Sequence, residues 1–227
     1  MHVPRRSFFE RSSLEVAPEL LGAHLTHETP EGSVTLRITE VEAYLGDGTD
    51  PGSHAFRGKT ARNAVMFGPP GHLYAYFTYG MHTCANLVCS PEGDASGVLL
   101  RGAEVVSGEE LALNRRASGR RGSAVPHRDL ARGPARLAVA AGIRLDENGS
   151  DVFQPPFAIE VSDEPVTPFA TGPRTGISGP GGDESLYPWR FWIPGDATVS
   201  PYKRHPRAVT SVDQAVPPRS SSRSRRP

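Results

Sequence analysis

The chain has 227 residues, a length that suits one domain with a sizeable hydrophobic core, or one domain plus a tail. It contains no apolar run near the ~20 residues that cross a bilayer, and we expect no signal peptide because no apolar segment follows its first basic residues. The two cysteines, Cys84 and Cys89, are too few for a zinc quartet. We expect both to be reduced and buried in a cytoplasmic protein, nucleoid-associated if the source is bacterial.

The formal charge is zero, but it is unevenly distributed along the chain. From Lys203 to the end, seven Lys and Arg residues stand against Asp213, a net charge of +6. Residues 114–136 hold seven arginines against Asp129, again a net charge of +6. Two basic segments in an otherwise acidic body are typical of a nucleic-acid-binding face. A solvated arginine-rich loop and a disordered tail would explain them equally well.

The first predicted elements are one helix and two strands. Residues 12–21 have helical spacing of apolar side chains, and Pro18 keeps that helix short or kinks it. A strand is predicted over residues 23–26. Residues 34–45 then alternate closely enough to form one longer strand.

The longer strand carries an unusual set of polar side chains. Strict alternation places Ile38, Glu40, Glu42 and Tyr44 on one face. Two carboxylates and a phenol are costly to bury without a purpose. Side chains two apart on a strand lie ~7 Å from each other, so Glu42 can reach a reacting atom of a ligand that rests against Tyr44.

A glycine- and proline-rich loop over residues 46–58 carries His54, and a helical turn is predicted over 61–66. The next strand begins at Leu73 and places Tyr74 and Tyr76 on one face. Aromatic rings that face one another beside a carboxylate form a pocket for a planar heterocycle.

The remaining elements are short. Strands are predicted over residues 83–88, 97–104, 157–161 and 190–193, and helices over residues 107–114 and 134–141. Strands outnumber helices and long helices rarely separate them. We therefore expect a single α+β domain over residues 1–205, a mostly antiparallel curved sheet with helices packed around it, and a disordered Pro/Ser/Arg-rich tail over residues 206–227.

At this point the sequence resembles a known family, the alkyladenine (3-methyladenine) DNA glycosylases of the mammalian type. The resemblance covers about residues 5–202. It rests on long ordered strings rather than on one short pattern: Val41-Glu42-Ala43-Tyr44-Leu45-Gly46, His54, Arg62-Asn63, Met66-Phe67, residues 71–81 (GHLYAYFTYGM), Asn86, Val98-Leu99-Leu100-Arg101-Gly102-Ala103, Gly133-Pro134-Ala135-Arg136-Leu137 and Trp189-Arg190-Phe191.

The resemblance implies a monomeric, monofunctional enzyme of base excision repair that works without a metal or an organic cofactor. Its partner would be double-stranded DNA that contains alkylated bases, and its product an abasic site. Glu42 would be the general base that activates water, and Arg101 would help to hold that water. Lys59, the only lysine near these motifs, is not placed as a Schiff-base nucleophile, so no strand-cutting activity is predicted.

The resemblance also assigns the residues that would bind the extruded base. Tyr44 would stack on one face of the base, and His54 and Tyr76 on the other. Asn86 would line the pocket floor and disfavour the exocyclic amine of normal guanine. Tyr79 would be the wedge that enters the duplex where the base has left.

Two features bear on how far these assignments extend. The interval from Glu42 to His54 is one residue longer than the family pattern, and Thr175 stands where an apolar residue usually precedes Gly176. Arg132 and Arg136, at the end of the basic segment, are candidates for phosphate contacts that position DNA without reading its sequence.

Other readings of the same residues stay open. Glu42 could be a structural carboxylate paired with Arg101, and we expect Glu40 to form a salt bridge within the sheet. Tyr74 is expected to be core packing, and Asn86 could simply satisfy backbone groups.

For the protein as a whole, a non-catalytic nucleic-acid binder is the main alternative. A metal hydrolase built from His54, His72, His82 and Glu42 is disfavoured because these histidines lack ligand spacing. The sequence does not distinguish 3-methyladenine, 7-methylguanine, hypoxanthine and ethenoadenine as the preferred lesion.

Overall fold

The computed structural model describes residues 1–46, 48–78, 80, 82–118 and 125–209. Within these residues there are three α-helices: α1 (Ser13–Glu19), α2 (Glu109–Ala117) and α3 (Pro134–Ala141). Nine strands form a single sheet: β1 (His24–Thr29), β2 (Gly32–Leu45), β3 (Leu73–Thr78), β4 (His82–Cys89), β5 (Ser96–Ser107), β6 (Ala131–Arg132), β7 (Phe157–Glu160), β8 (Ala170–Gly172) and β9 (Arg190–Trp192).

Strand β2 lies at the centre of the sheet. The main order is β3-β4-β5-β2-β1-β7, and every pairing among these strands is antiparallel. β1 pairs with the first half of β2 only, and β9 takes its place from Glu40 to Glu42. Helices pack around this antiparallel sheet, so the predicted α+β class is confirmed.

The helices cover one face of the sheet and create the main core. Buried side chains of α1 and α3, such as Val16 and Leu137, pack with Leu73, Leu87 and Leu100 from the strands. Neighbouring positions in β3 and β4 point to the opposite face, where a second, smaller cluster includes Tyr74 and Val88. The predicted common face of Tyr74 and Tyr76 is confirmed, because their rings stack.

The prediction that Ile38 shares one face of β2 with Glu40, Glu42 and Tyr44 is wrong. Ile38 lies in the main core with Val41 and Ala43, whereas strict alternation would direct it with Glu40 towards the opposite face. The pairing of β2 with β5 shifts register on both sides of Glu40, opposite Gly102. This irregularity reverses the alternation, as a β-bulge does, so the apolar residues before and after Glu40 reach the same core.

The predicted first helix is correct in position and short, as Pro18 implies. The Ser12 side chain accepts a hydrogen bond from the amide of Leu14, and the Glu15 carboxylate accepts one from the amide of Ser12, a reciprocal cap. The predicted limits of α3 match those observed, with Pro134 in its first turn and Gly142 in the left-handed conformation at its end. The short strands β6 and β8 were not predicted.

The body of the protein continues to the last described residue. Val209 donates a hydrogen bond to the Gly179 carbonyl, and Gly179 donates one to the carbonyl of Arg207. Ala208, which lies between Arg207 and Val209 in the sequence, is buried. Residues 206–209, which we assigned to the tail, are therefore held to the domain, and residues 210–227 lie outside the described part of the chain. No helix in the described part is long and apolar enough to cross a membrane.

Candidate active site

The carboxylate of Glu42 is buried near the C-terminal end of β2 and is held at both oxygens. Its Oε2 accepts a 2.8 Å hydrogen bond from the Tyr44 hydroxyl. Its Oε1 accepts a 2.7 Å hydrogen bond from the backbone amide of Thr175 and lies 3.5 Å from Nε of Arg101. An almost fully buried side chain is thus fixed in one orientation by one donor from its own strand and one from a distant loop.

Arg101 forms its closer ion pair with Glu40 rather than Glu42. Its Nε donates to Glu40 Oε1 at 2.9 Å, and Glu40 also accepts hydrogen bonds from Arg190 and Ser200. Burial disfavours the Arg101 cation, but the two carboxylates outweigh burial and raise the pKa of the guanidinium. The expectation that Glu40 forms a salt bridge in the sheet is confirmed, and Arg101 lies between two carboxylates.

A cavity of about 70 Å³ has aromatic side chains at half of its lining positions. The rings of Tyr74 and Tyr76 stack with centroids 5.4 Å apart, and the rings of His54 and Tyr76 meet edge to face with centroids 4.5 Å apart. This volume is about half that of an engineered ~150 Å³ cavity that binds benzene. The lining residues are Tyr44, Gly52, His54, Met66, Tyr74, Tyr76, Asn86 and Ile177.

Tyr74 and Asn86 combine structural contacts with a place in the cavity wall. Tyr74 is almost fully buried, as expected for core packing, and its hydroxyl lies 3.1 Å from Nδ1 of His54. The side-chain amide of Asn86 donates a 3.1 Å hydrogen bond to the backbone carbonyl of Tyr74. Asn86 therefore satisfies a backbone group and lines the cavity at the same time.

Hydrogen bonds from a nearby side chain hold the loop that carries His54. The side-chain amide of Asn63 donates hydrogen bonds to the carbonyls of His54 and Gly58. Burial, and to a smaller extent the nearby Arg62 cation, lower the pKa of His54 from its ordinary value of 6.5. The imidazole is therefore neutral at neutral pH, and despite the longer interval after Glu42 it reaches the cavity.

A fully buried pair, Asp50 and Arg174, joins the two loops beside the site. The guanidinium donates to both carboxylate oxygens, at 2.6 and 2.7 Å, and also to the Ala43 carbonyl. It lies over the rings of Tyr44 and Trp189, 4.5 and 5.1 Å from their centroids. This pair places Thr175, the next residue, beside Glu42. We did not predict either member, because no local pattern links residues 124 positions apart.

Residues 7–197 match the methylpurine-DNA glycosylase (MPG) family. The chain belongs to this family.

Its relatives include proteins named provisionally as 3-methyladenine DNA glycosylases in three bacteria. The chain is 65% identical to one from Leifsonia xyli over 204 residues, 89% of this chain and 94% of the relative. It is 55% identical to one from Streptomyces avermitilis over 205 residues (88% and 92%) and 46% identical to one from Mycolicibacterium paratuberculosis over 200 residues (86% and 91%). Because these relatives are bacterial, the mammalian-type label stays a prediction.

The two arginines proposed for DNA contact, Arg132 and Arg136, make different contacts within this methylpurine-DNA glycosylase family member. Arg132 donates to the Val199 carbonyl at 2.8 Å and lies 3.4 Å from Asp129. Arg136 is more exposed and lies 4.0 Å from the same carboxylate. Arg132 thus has a structural contact that Arg136 lacks. Tyr79, the predicted wedge, lies outside the described residues.

The histidines considered for a metal site have separate environments. His54 lies in the cavity wall, whereas His72 forms an isolated β-bridge with Asp151. His82 begins β4 and is exposed. Across the described ranges, no three His, Cys, Asp or Glu side chains are grouped to hold a metal ion. Cys84 and Cys89 are buried and unpaired, as predicted, and burial raises the pKa of the Cys84 thiol to about 11.

Proposed function

We propose that this protein is a monofunctional DNA glycosylase that hydrolyses the N-glycosidic bond of alkylated purines of the 3-methyladenine type. The observation that carries the proposal is the fixed, buried carboxylate of Glu42, which the Tyr44 hydroxyl links to a cavity walled by Tyr44, Tyr76 and His54. Membership of the methylpurine-DNA glycosylase family supports it. The product would be an abasic site in the duplex, the starting point for base excision repair.

The aromatic walls supply the free energy that extrusion of the base requires. Rotating a base out of a duplex costs a few kcal/mol in lost stacking and pairing. Stacking on a protein aromatic ring returns ~1–3 kcal/mol per base. Contacts with Tyr44 on one face and with Tyr76 and His54 on the other would offset the cost.

Glu42 would act as the general base. A water molecule attacks C1′ while the bond from C1′ to the purine nitrogen breaks, and the bonding electron pair leaves with the purine. One proton of the water passes to Glu42, and the carboxylate also stabilises the oxocarbenium-like transition state. Arg101, 3.5 Å from Glu42 Oε1, would help to hold the water.

One carboxylate is enough for a cationic leaving group. A purine alkylated at N3 or N7 already carries a positive charge, so it departs without a general acid. The lowered pKa of His54 keeps the opposing wall neutral, which avoids repulsion of that cation. No lysine is among the residues that line the cavity, and Lys59 lies 5.8 Å from the Phe67 ring centroid. This supports hydrolysis rather than a Schiff-base reaction.

Assembly and location follow from the same proposal. Action as a monomer is part of the proposal. DNA as substrate, together with the two unpaired buried thiols, supports a place of action in the cytoplasm, on the nucleoid of a bacterium.

The decisive experiment measures free base released from methylated duplex DNA in buffer that contains a chelator. We expect the wild type to release 3-methyladenine and Glu42→Gln to lose at least 100-fold in rate while it still binds the DNA. Glu160→Gln, an exposed glutamate on β7, is the matched control and should behave as wild type. Binding without release by the wild type would instead identify a nucleic-acid-binding module.

A further inference from the structure

Glu40 is the second carboxylate of β2, and it is as deeply buried as Glu42. Its Oε1 accepts hydrogen bonds from Nε of Arg101 at 2.9 Å, from Nε of Arg190 at 2.6 Å and from the Ser200 hydroxyl at 3.0 Å. Its Oε2 accepts one from the backbone amide of Ser200 at 2.7 Å. Four donors, two of them cationic, converge on a carboxylate that the proposed reaction does not use.

The sheet makes room for this carboxylate. The pairing of β2 with β5 shifts register on both sides of Glu40, and the residue opposite it on β5 is Gly102. A Cβ atom at Gly102 would lie 3.0 Å from Oε2 of Glu40 and 3.0 Å from the Thr198 carbonyl oxygen. A glycine at this position therefore allows the strands to close around the charged group.

The guanidinium of Arg101 is shared unequally between the two carboxylates of β2. Its Nε lies 2.9 Å from Oε1 of Glu40 and 3.5 Å from Oε1 of Glu42. Direct pairing with a cation favours the ionised form of a carboxylate and makes it a poorer acceptor of a proton, whereas a second carboxylate nearby has the opposite effect. The contact with Glu40 therefore limits how strongly Arg101 pairs with the candidate general base.

We propose that Glu40 is a positioning residue for catalysis: it holds the Nε–H of Arg101 and keeps a second negative charge near Glu42, so that Glu42 stays basic enough to take a proton from water. This inference rests on the proposed glycosylase function. The pair of glutamates two positions apart on β2 then has a division of work, in which Glu42 faces the reaction and Glu40 neutralises the arginine between them.

The other titratable groups close to Glu42 in the described part of the chain come from five strands and one loop. They are Tyr44 on its own strand, Tyr76 on β3, Cys84 on β4, Arg101 on β5, Arg190 on β9 and Arg174 in the adjoining loop. Burial raises the pKa of both phenols, and it raises the pKa of the thiol to about 11, so all three are neutral below pH 8. The guanidinium groups are cationic throughout this range.

The test measures single-turnover release of 7-methylguanine from duplex DNA at saturating enzyme, from pH 4 to 8. This lesion is already cationic, so its departure needs no added proton. In Glu40→Gln we expect the acid limb of the profile to move down by about one pH unit. The rate above the limb should fall about 3- to 10-fold, because a weaker base removes the proton from water less well. Glu40→Asp keeps the charge, so its acid limb should stay at the wild-type pH even if its rate is lower.

Glu104→Gln is the matched control. It removes a carboxylate from another ion pair between β2 and β5, in which Arg37 donates to Glu104 at 2.8 Å, and its profile should match that of the wild type. His54 also titrates in acid, but it does so in the wild type and in all variants, so the differences between them report Glu42.

A second variant covers a loss of folding in Glu40→Gln, which leaves two buried arginines with one carboxylate fewer. Glu40→Gln/Arg190→Gln removes one charge of each sign, so the buried cluster keeps its balance. Arg101 still loses its closer carboxylate in this protein, and the acid limb should move down as in the single variant. Thermal melts identify which variants are folded.

The outcomes separate this inference from the proposed function. If the wild type releases no base, the proposed function fails and this inference fails with it. If the wild type is active but the acid limb stays in place in the folded variants that lack Glu40, the carboxylate does not affect Glu42. If Glu40→Gln and Glu40→Asp lose the same rate at every pH, Glu40 is only a structural salt bridge and the inference is wrong.

Discussion

The hydroxyl of Tyr44 donates a 2.8 Å hydrogen bond to Oε2 of Glu42, two residues away on the same strand. Burial and the adjacent Glu42 carboxylate raise the pKa of Tyr44 well above its ordinary value, so the phenol keeps the proton that it donates. Tyr44 therefore has two separable parts: a ring in the cavity wall and a hydroxyl that orients the candidate base.

Substitutions at Tyr44 should separate these two parts. Tyr44→Phe keeps the ring, so affinity for lesion-containing duplex should be unchanged while the single-turnover rate falls about 3- to 10-fold, the worth of one hydrogen bond. Tyr44→Leu should in addition weaken binding by ~1–3 kcal/mol. Titration of labelled duplex and single-turnover assays measure the two effects. Equal losses of affinity in both variants would refute a stacking role for the ring.

The lowered pKa of His54 predicts a loss of lesion binding in acid. Above pH 6.5 the imidazole is neutral, and affinity for a cationic base should be constant. Below the lowered pKa of His54, protonation of the imidazole opposes the cationic base, so affinity should fall. Arg62→Ala removes the second cause of the shift. The pKa of His54 should then rise towards 6.5, and the loss of affinity should begin at higher pH.

Arg57→Ala, at an exposed arginine in the same loop, is the matched control for Arg62. Binding measured from pH 5 to 8, together with an NMR titration of His54, tests the assignment; an unshifted profile in Arg62→Ala would contradict it.

The free energy of unfolding should also fall in acid because of His54. The unfolded chain binds the proton more tightly than the folded protein, so stability falls as pH drops below 6.5. His54→Gln should reduce this dependence of the free energy of unfolding on pH.

The buried pair of Asp50 and Arg174 should dominate local stability. Asp50→Asn leaves the arginine charge uncompensated in a site with no solvent exposure. The expected loss is ~3–5 kcal/mol, which lowers the melting temperature by roughly 6–20 °C in a protein of this size. Asp146→Asn, at an exposed ion pair with Arg144, is the control and should melt with the wild type. A wild-type melting temperature for Asp50→Asn would show that the pair does not form in solution.

Arg132 and Arg136 should affect different properties. Arg136→Ala should reduce the slope of log affinity against log salt by about one and leave the melting temperature unchanged, as expected when one phosphate contact is lost. Arg132→Ala should lower the melting temperature, because it removes the hydrogen bond to the Val199 carbonyl. Filter binding at several salt concentrations and thermal melts measure both. If the salt slope stays the same in Arg136→Ala, the start of α3 does not contact DNA.

Periodicity alone predicted much of the fold because local patterns report local structure. Alternation predicted β2 and the common face of Tyr74 and Tyr76. Proline near the start and glycine at the end predicted α3. β6 and β8, with two and three residues, are too short to show any period.

The sequence by itself determined most of the elements of this protein, the family to which it belongs and several of the residues that line its candidate site. Only the tertiary structure decided how those residues act on one another. The register shift around Glu40 returns Ile38 to the main core, and it depends on how β2 pairs with β5. The amide of Thr175 reaches Glu42 from 133 positions away. Strand pairing and contacts between distant loops set such geometry, and neither leaves a periodic signal in the chain.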